Sequence, residues 1–155
     1  MHAPSDYSCP FCRVASGGDL DPPYTSQAEV VLREPEVLAF VSSRQWPMNK
    51  GHVIVIPRSH HENLYELPVA LGTPLLSATQ RVAQALRLAY GCPGISTRQH
   101  NEPAGNQDVW HYHVHVFPRY VDDALYLSQG ERVDPSERLR QASLLREHLR
   151  GAPAA

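Results

Sequence analysis

One run constrains this chain more than any other: Trp110-His111-Tyr112-His113-Val114-His115-Val116-Phe117, closed by Pro118-Arg119. Strict alternation over this length predicts a β-strand with one face buried. His111, His113 and His115 share one side, and Trp110, Tyr112, Val114 and Val116 share the other, toward a core. A histidine in a sheet costs stability unless it is paired or used, so three on one face call for a chemical explanation.

The rest of the chain must build a sheet around that strand. Val30-Val31-Leu32 and Val37-Leu38-Ala39-Phe40-Val41, separated by Glu34-Pro35-Glu36, predict a β-hairpin. Ser42 to Gly51 reads as loop. His52-Val53-Ile54-Val55-Ile56-Pro57 is β-branched and suits a central strand ended by proline. Arg58 to Leu67 is a short helix candidate. The clearest helix covers residues 74–90, with Leu75, Leu76, Thr79, Val82, Ala83, Leu86 and Ala89 on one face, Thr73-Pro74 at its start and Gly91 at its end. Ile95 to Gln99 reads as a strand and Asn101 to Asn106 as a turn-rich loop.

The ends are simpler. Residues 1–8 read as a loose leader, and Arg13 to Ser16 as a turn or two of helix stopped by Gly17-Gly18. Residues 19–27, with Pro22-Pro23, read as loop. Beyond Arg119 the chain is irregular to about Gly130, and Asp134-Pro135-Ser136-Glu137 starts a terminal helix carrying Leu139, Leu144, Leu145 and Leu149. Residues 151–155 read as frayed. Strands and helices mix without regular βαβ alternation and no linker divides the chain, so the class is α+β in a single domain spanning 1–155.

Composition excludes several functions. Of 155 residues, 42% are hydrophobic and 19% charged, with a net charge of −2, so a basic surface for nucleic acid is not expected. No apolar run is long enough to cross a bilayer, and the first residues carry no secretory signal. Three cysteines do not make a disulfide framework. Cytoplasm is the default location.

Distance limits what three histidines on one strand can do. Same-face neighbours lie about 6.5–7 Å apart, so His111 and His115 are about 13 Å apart at the backbone. A metal needs every ligand nitrogen within about 2.1 Å of itself, which disfavours one three-histidine site. Division of labour remains: one imidazole attacks while its neighbours position, donate protons or bind something else. Neutral imidazole is a competent nucleophile at phosphorus. Amides of the preceding loop would stabilise phosphoryl oxygens.

The segment from Asn101 through Gly105-Asn106-Gln107-Asp108-Val109 to the histidine run resembles the signature of the histidine triad (HIT) superfamily. Gly51-His52-Val53-Ile54-Val55-Ile56-Pro57-Arg58 and Ser59-His60-His61-Glu62-Asn63-Leu64 are similar to the strand and helix start of that family, and the resemblance covers residues 9–119. It implies an antiparallel sheet of about five strands with helices packed on it. It also implies a homodimer, with the helix at 74–90 as a dimer element, that hydrolyses or transfers a purine nucleotide or nucleotide conjugate at its α-phosphate; a nucleotide-binding regulatory protein with little catalysis is the alternative. His113 would attack and form a nucleotidyl-histidine, with His115 assisting the leaving group. Gln107 and the amides of Gly105 and Asn106 would hold phosphate oxygens, and Asn101 would lie near ribose or phosphate. The chain departs from the family in two places. Asn106 stands where many members have glycine, and Ser42-Ser43 replace an acidic ribose contact, leaving Ser42 as the substrate-binding candidate there.

Cys9-x-x-Cys12 fits a redox pair, half a metal site or two free thiols. A thioredoxin-like reading needs a preceding strand, which the leader does not offer. By the resemblance, Cys9, Cys12, His60 and His111 would form a structural zinc site, with His61 as the nearest competitor to His60. Cys92 reads as a small core residue. His52 fits either a neighbour of the active site or a surface position. Trp46 fits a base-stacking or a packing role equally. Arg119 is a candidate for phosphate or for a carboxylate across a dimer, and His100 and His148 read as surface residues. Asp108 is a weak candidate near the leaving group.

Overall fold

The computed structural model describes residues 2–21 and 24–150. The sheet has five antiparallel strands in the order β1-β2-β4-β6-β5: β1 Val30–Arg33, β2 Val37–Val41, β4 Val53–Pro57, β6 Val114–Arg119 and β5 Gly94–Gln99. The expected hairpin is β1–β2, and the proline-ended apolar strand β4 lies at the centre with all five residues buried.

Period-2 alternation sorts the core into two layers. Val37, Ala39, Val41, Val53, Val55 and Val116 face helices α2 (Gly72–Tyr90) and α3 (Pro135–Arg150). Leu38, Phe40, Ile54 and Ile56 face the short helix α1 (Pro10–Ala15) through Phe11, Val14 and Ala15. Both faces of the sheet are therefore covered by apolar side chains, and the α1 side leaves room for a cavity beside β6.

Helix α2 ends where expected, at Gly91 in the left-handed region with φ 58°. Its buried stripe differs from the expected one. Leu76 is 60% exposed, whereas Ala78 and Ala85 are fully covered, because small residues let the helix approach the sheet closely. At the start of α3, Asp134 Oδ1 accepts the Ser136 N–H at 2.8 Å. Leu145 and Leu149 are buried, but Leu139 is exposed and Ala142 packs in its place.

Three other expectations change. The histidine run is only half strand: β6 begins at Val114. Its partner β4 ends in Pro57, which has no N–H to continue the ladder, and the Pro57 carbonyl accepts from the His111 ring at 2.9 Å instead. Residues 58–67 turn without forming a helix. There Asn63 Oδ1 takes the N–H groups of Tyr65 and Glu66 at 3.0 and 3.2 Å, local bonds that compete with helix formation. Finally, the loop from Ser42 contains β3 (Arg44–Gln45), which pairs with β7 (Glu131–Arg132) from the C-terminal region as a separate two-stranded ribbon. In the leader, the Tyr7 hydroxyl accepts the Trp110 N–H at 3.1 Å. The readings of Pro22-Pro23 as loop and of 151–155 as frayed lie outside the described residues.

Candidate active site and metal cluster

His113 sits one residue before β6 at the floor of a cavity of about 790 Å³. Its Nδ1–H donates to the His111 carbonyl at 2.7 Å. That bond fixes the tautomer and leaves Nε2 with a free lone pair. Burial pushes the His113 pKa down, favouring the neutral ring, and Asp108 Oδ1 lies 4.0 Å from Nε2.

His115 is oriented by a longer relay. His52 Nδ1–H donates to the Arg44 carbonyl at 2.8 Å, so neutral His52 offers a bare Nε2 to His115 Nδ1–H at 3.0 Å. Burial pushes His52 down to about 3, which keeps it neutral in this relay. The His115 pKa is lowered as well, by burial first and then by the neighbouring His52. In the neutral ring, Nε2 of His115 is unprotonated. His52 is thus fully buried behind the site and not a surface residue.

His111 turns the other way. Its Nε2–H donates to Pro57 and its Nδ1 faces Cys9 Sγ at 3.4 Å and Cys12 Sγ at 3.5 Å. Cys12 Sγ is also 3.2 Å from His60 Nδ1. Cys9 caps α1 and Cys12 follows one turn later, which brings both sulfurs to one spot. The four ligand atoms of Cys9, Cys12, His60 and His111 all lie within 4.8 Å of one another. A tetrahedral ion with bonds of about 2.3 Å to sulfur and 2.0 Å to nitrogen separates S and N by about 3.5 Å, close to the spacing here. Burial and the neighbouring Cys9 push the Cys12 thiol up to about 12, and a divalent cation reverses that bias. The donor set therefore fits zinc. His61 is not in the cluster and meets Ser59 Oγ at 2.9 Å.

The structure brings Ser42 and Asn106 to the cavity with His113 and His115. Asn106 holds the left-handed conformation, φ 67°. Three other candidates are hydrogen-bonded within the chain. The Gln107 amide joins its loop to the 58–67 turn, donating to the Glu62 and Val109 carbonyls at 2.6 and 3.0 Å and accepting from the Glu102 N–H at 2.8 Å. Asn101 bonds Leu64 N–H at 2.8 Å and exchanges amide bonds with Gln99. Gly105 gives its carbonyl to His100 Nδ1 at 2.6 Å. All three shape the loop and none lines the cavity.

Trp46 packs within the chain, its Nε1–H donating to the Ser128 carbonyl at 3.0 Å and its ring lying edge-on to Phe117, and the ring also lines the cavity. His100 lines the cavity too and is half-buried. Arg119 is engaged within the chain, with Asp123 at 2.6 and 2.9 Å and Ser96 Oγ at 2.7 Å. Sequence reasoning missed Arg98, Arg44 and Arg132 on the cavity wall. For Arg98 the signal was the register that sets it opposite His115.

A domain held together in this way matches known proteins. The HIT domain family model matches residues 25–122, and the chain belongs to the histidine triad family. Protein hit of Bacillus subtilis is 35% identical over 113 residues, covering 73% of this chain and 72% of its own length. Adenosine 5'-monophosphoramidase hnt1 of Schizosaccharomyces pombe is 31% identical, covering 72% and 74%. Adenylylsulfatase HINT3 of Arabidopsis thaliana is 26% identical, covering 94% of this chain and 71% of its own. Among solved structures, a Zn-bound histidine triad family protein from Mycobacterium smegmatis matches with a TM-score of 0.75 and 30% identity, covering 92% of this chain and 94% of its own. No helix among the described residues is long and apolar enough to cross a membrane.

Proposed function

We propose that this chain is a nucleotide hydrolase that cleaves at the α-phosphate through a nucleotidyl-histidine on His113. One observation carries the reading: His113 is locked by the main-chain carbonyl of His111, two residues earlier, with a bare Nε2 on the cavity floor. The apolar side chains of Phe11, Leu20, Phe40 and Ile54 offer a wall for a purine base. Ser42 and Asn106 line the same cavity and would meet the ribose and the phosphate. Nε2 of His113 attacks phosphorus as the leaving group departs, and water then releases the nucleoside monophosphate and restores the imidazole. The phosphoramidase and adenylylsulfatase among the relatives support a phosphorus-centred hydrolysis. Transfer to another acceptor shares the same intermediate and is the second reading.

Cys9, Cys12, His60 and His111 would hold zinc. With all four positions filled by protein its role there is structural: it ties α1 to the start of the histidine run. The zinc-bound relative supports this. The family resemblance also supports a homodimer in the cytoplasm, with exposed Leu76 and Leu88 on α2 available to a second copy.

The test is His113→Ala. Turnover of adenosine 5′-phosphoramidate and of diadenosine polyphosphate should vanish while AMP still binds and the fold persists. A variant that keeps the wild-type rate refutes the nucleophile.

A further inference from the structure

The three cysteines are free thiols in unlike surroundings. Cys92 is 3% exposed, and its Sγ–H points at the Leu86 carbonyl at 3.8 Å. Cys9 and Cys12 are only half-buried, and their neighbour His60 is exposed. The cluster therefore opens to solvent on the side where Cys12 Sγ meets His60 Nδ1 at 3.2 Å. Cys9 caps α1 and its Sγ accepts the Cys12 N–H at 3.4 Å, so a second thiol stands directly behind the accessible one.

The two sulfurs lie within 4.8 Å of each other. Two thiolates on one tetrahedral ion are about 3.8 Å apart, whereas a disulfide bond is about 2.05 Å. The pair can hold an ion or bond to itself, not both, and the change draws the sulfurs together by about 1.7 Å. The first turn of α1 must absorb that movement, and Phe11 is in that turn. The Phe11 ring meets His113 at 5.2 Å, Phe40 at 5.4 Å and His111 at 5.9 Å, and it lines the cavity. A second route runs through His111, whose Nδ1 faces both sulfurs and whose carbonyl holds His113 Nδ1. A change at the cysteines thus reaches the attacking ring from two sides.

We propose that Cys9 and Cys12 are an oxidation site, a dithiol that a hydroperoxide converts to a disulfide, and that this releases zinc and slows turnover at His113. What is lost rests on the zinc and hydrolase readings above; the bond changes are those of the cysteines alone. The Cys12 thiolate, on the open side, attacks hydrogen peroxide. An S–O bond forms, the O–O bond breaks, and hydroxide leaves with the bonding pair. The Cys9 thiolate then attacks the sulfenic sulfur of Cys12. The S–S bond forms, the S–O bond breaks, and a second hydroxide leaves. The peroxide gains the two electrons that the sulfurs lose, and the two hydroxides take up two protons as water. Because Cys9 traps the sulfenic acid, oxidation stops at a reversible stage. The disulfide has no thiolate charge, so His60 and His111 remain as the only donors, too few for a closed site.

The experiment treats zinc-loaded wild type with a slight excess of hydrogen peroxide, then with dithiothreitol and added zinc. Bound zinc, disulfides by peptide mass mapping, and kcat for adenosine 5′-phosphoramidate are measured at each stage. Peroxide should join Cys9 to Cys12 and lower zinc from about one per chain to a small fraction. It should lower kcat by about tenfold, the scale for losing support around a metal ligand. Dithiothreitol with zinc should restore all three, which separates the effect from methionine oxidation. Cys92→Ser should respond as wild type does, and Cys12→Ser should lose no further activity to peroxide. Zinc retained under peroxide, cysteines that pass to sulfinic acid or pair between chains, or a Cys92→Ser protein that no longer responds overturns the proposal. So does a Cys9–Cys12 disulfide that leaves kcat within about twofold of the reduced protein. If Cys92→Ser does not fold, the wild-type peptide map alone decides which cysteines pair. A protein that takes up no zinc refutes the zinc reading and this inference together. A reduced wild type that cleaves no nucleotide refutes the hydrolase reading; the AMP dissociation constant then replaces kcat, and an affinity unchanged by the disulfide overturns the switch.

Discussion

Replacing Arg138 with methionine tests how the C-terminal region is fastened to the domain. The side chains of Arg138 and Glu29 are 0% and 2% exposed, and Nη2 to Oε1 is 3.0 Å. The guanidinium also donates to the Val133 and Tyr24 carbonyls, so one side chain joins α3, the residue after β7, the approach to β1 and a segment that reaches the cavity through Tyr24. Arg138→Met removes these donors and strands the Glu29 carboxylate in the interior. Breaking a buried pair from one side costs about 3–5 kcal/mol. For a chain of this size that is about 10 °C in Tm. In the double variant Glu29→Gln, Arg138→Met no charge remains buried, and most of the loss should return, because the cost comes chiefly from the uncompensated ion. Urea denaturation followed by fluorescence and circular dichroism measures all three proteins. A single variant that loses under about 1 kcal/mol, or a double variant no more stable than the single, refutes the reasoning, since a buried ion pair must show that asymmetry.

Two further outcomes follow from the cluster and from the turn after β6. Cys12→Ser should lower bound zinc, measured by elemental analysis after exhaustive dialysis, from about one per chain to a small fraction, because a closed four-ligand site depends on each donor; wild-type protein purified without zinc, or a variant that retains it in full, contradicts the assignment. At Asp123, the Arg119 side chain, aided by the Tyr120 and Leu125 N–H groups and the Asn49 amide, holds the carboxyl well below the usual carboxylate range. Its stabilisation is therefore complete above the unfolded value of about 3.9 and is lost as pH falls through the lower folded value. Stability measured from pH 5 down to pH 2 should fall more steeply in wild type than in Asp123→Asn, and parallel curves refute the linkage.

The parts of this fold that sequence reveals are those whose signal is local. The β1–β2 hairpin, β4 and the Gly91 stop of α2 each carry their period and their punctuation within a few residues. The errors occur where a remote partner decides. Residues 110–113 alternate as a strand should, yet Pro57, more than fifty residues earlier, offers no N–H to pair with them. Arg44–Gln45 and Glu131–Arg132 are too short to show any period, and they become strands only by meeting each other. Gln107 and Asn101 also carry a role that the sequence does not show, since their amides tie the loop to the 58–67 turn through the Glu62 carbonyl and the Leu64 N–H. Arg98 sits in a strand that was readable, but its place beside His115 exists only once β5 and β6 are in register.

Alternation places the three histidines on one side of the chain without saying which nitrogen each presents. Three main-chain carbonyls make that choice. Pro57 takes the Nε2–H of His111 and turns its Nδ1 to the cysteines; the His111 carbonyl takes the Nδ1–H of His113 and frees its Nε2 for the cavity; and the Arg44 carbonyl, acting through His52, does the same for His115. Because His111 supplies both a cluster nitrogen and the carbonyl that orients His113, whatever holds His111 in place also sets the angle of the attacking ring. The metal cluster and the cavity are thus separate in chemistry but share one residue of backbone, and a ligand substitution is transmitted to His113 through that carbonyl without any direct contact with substrate.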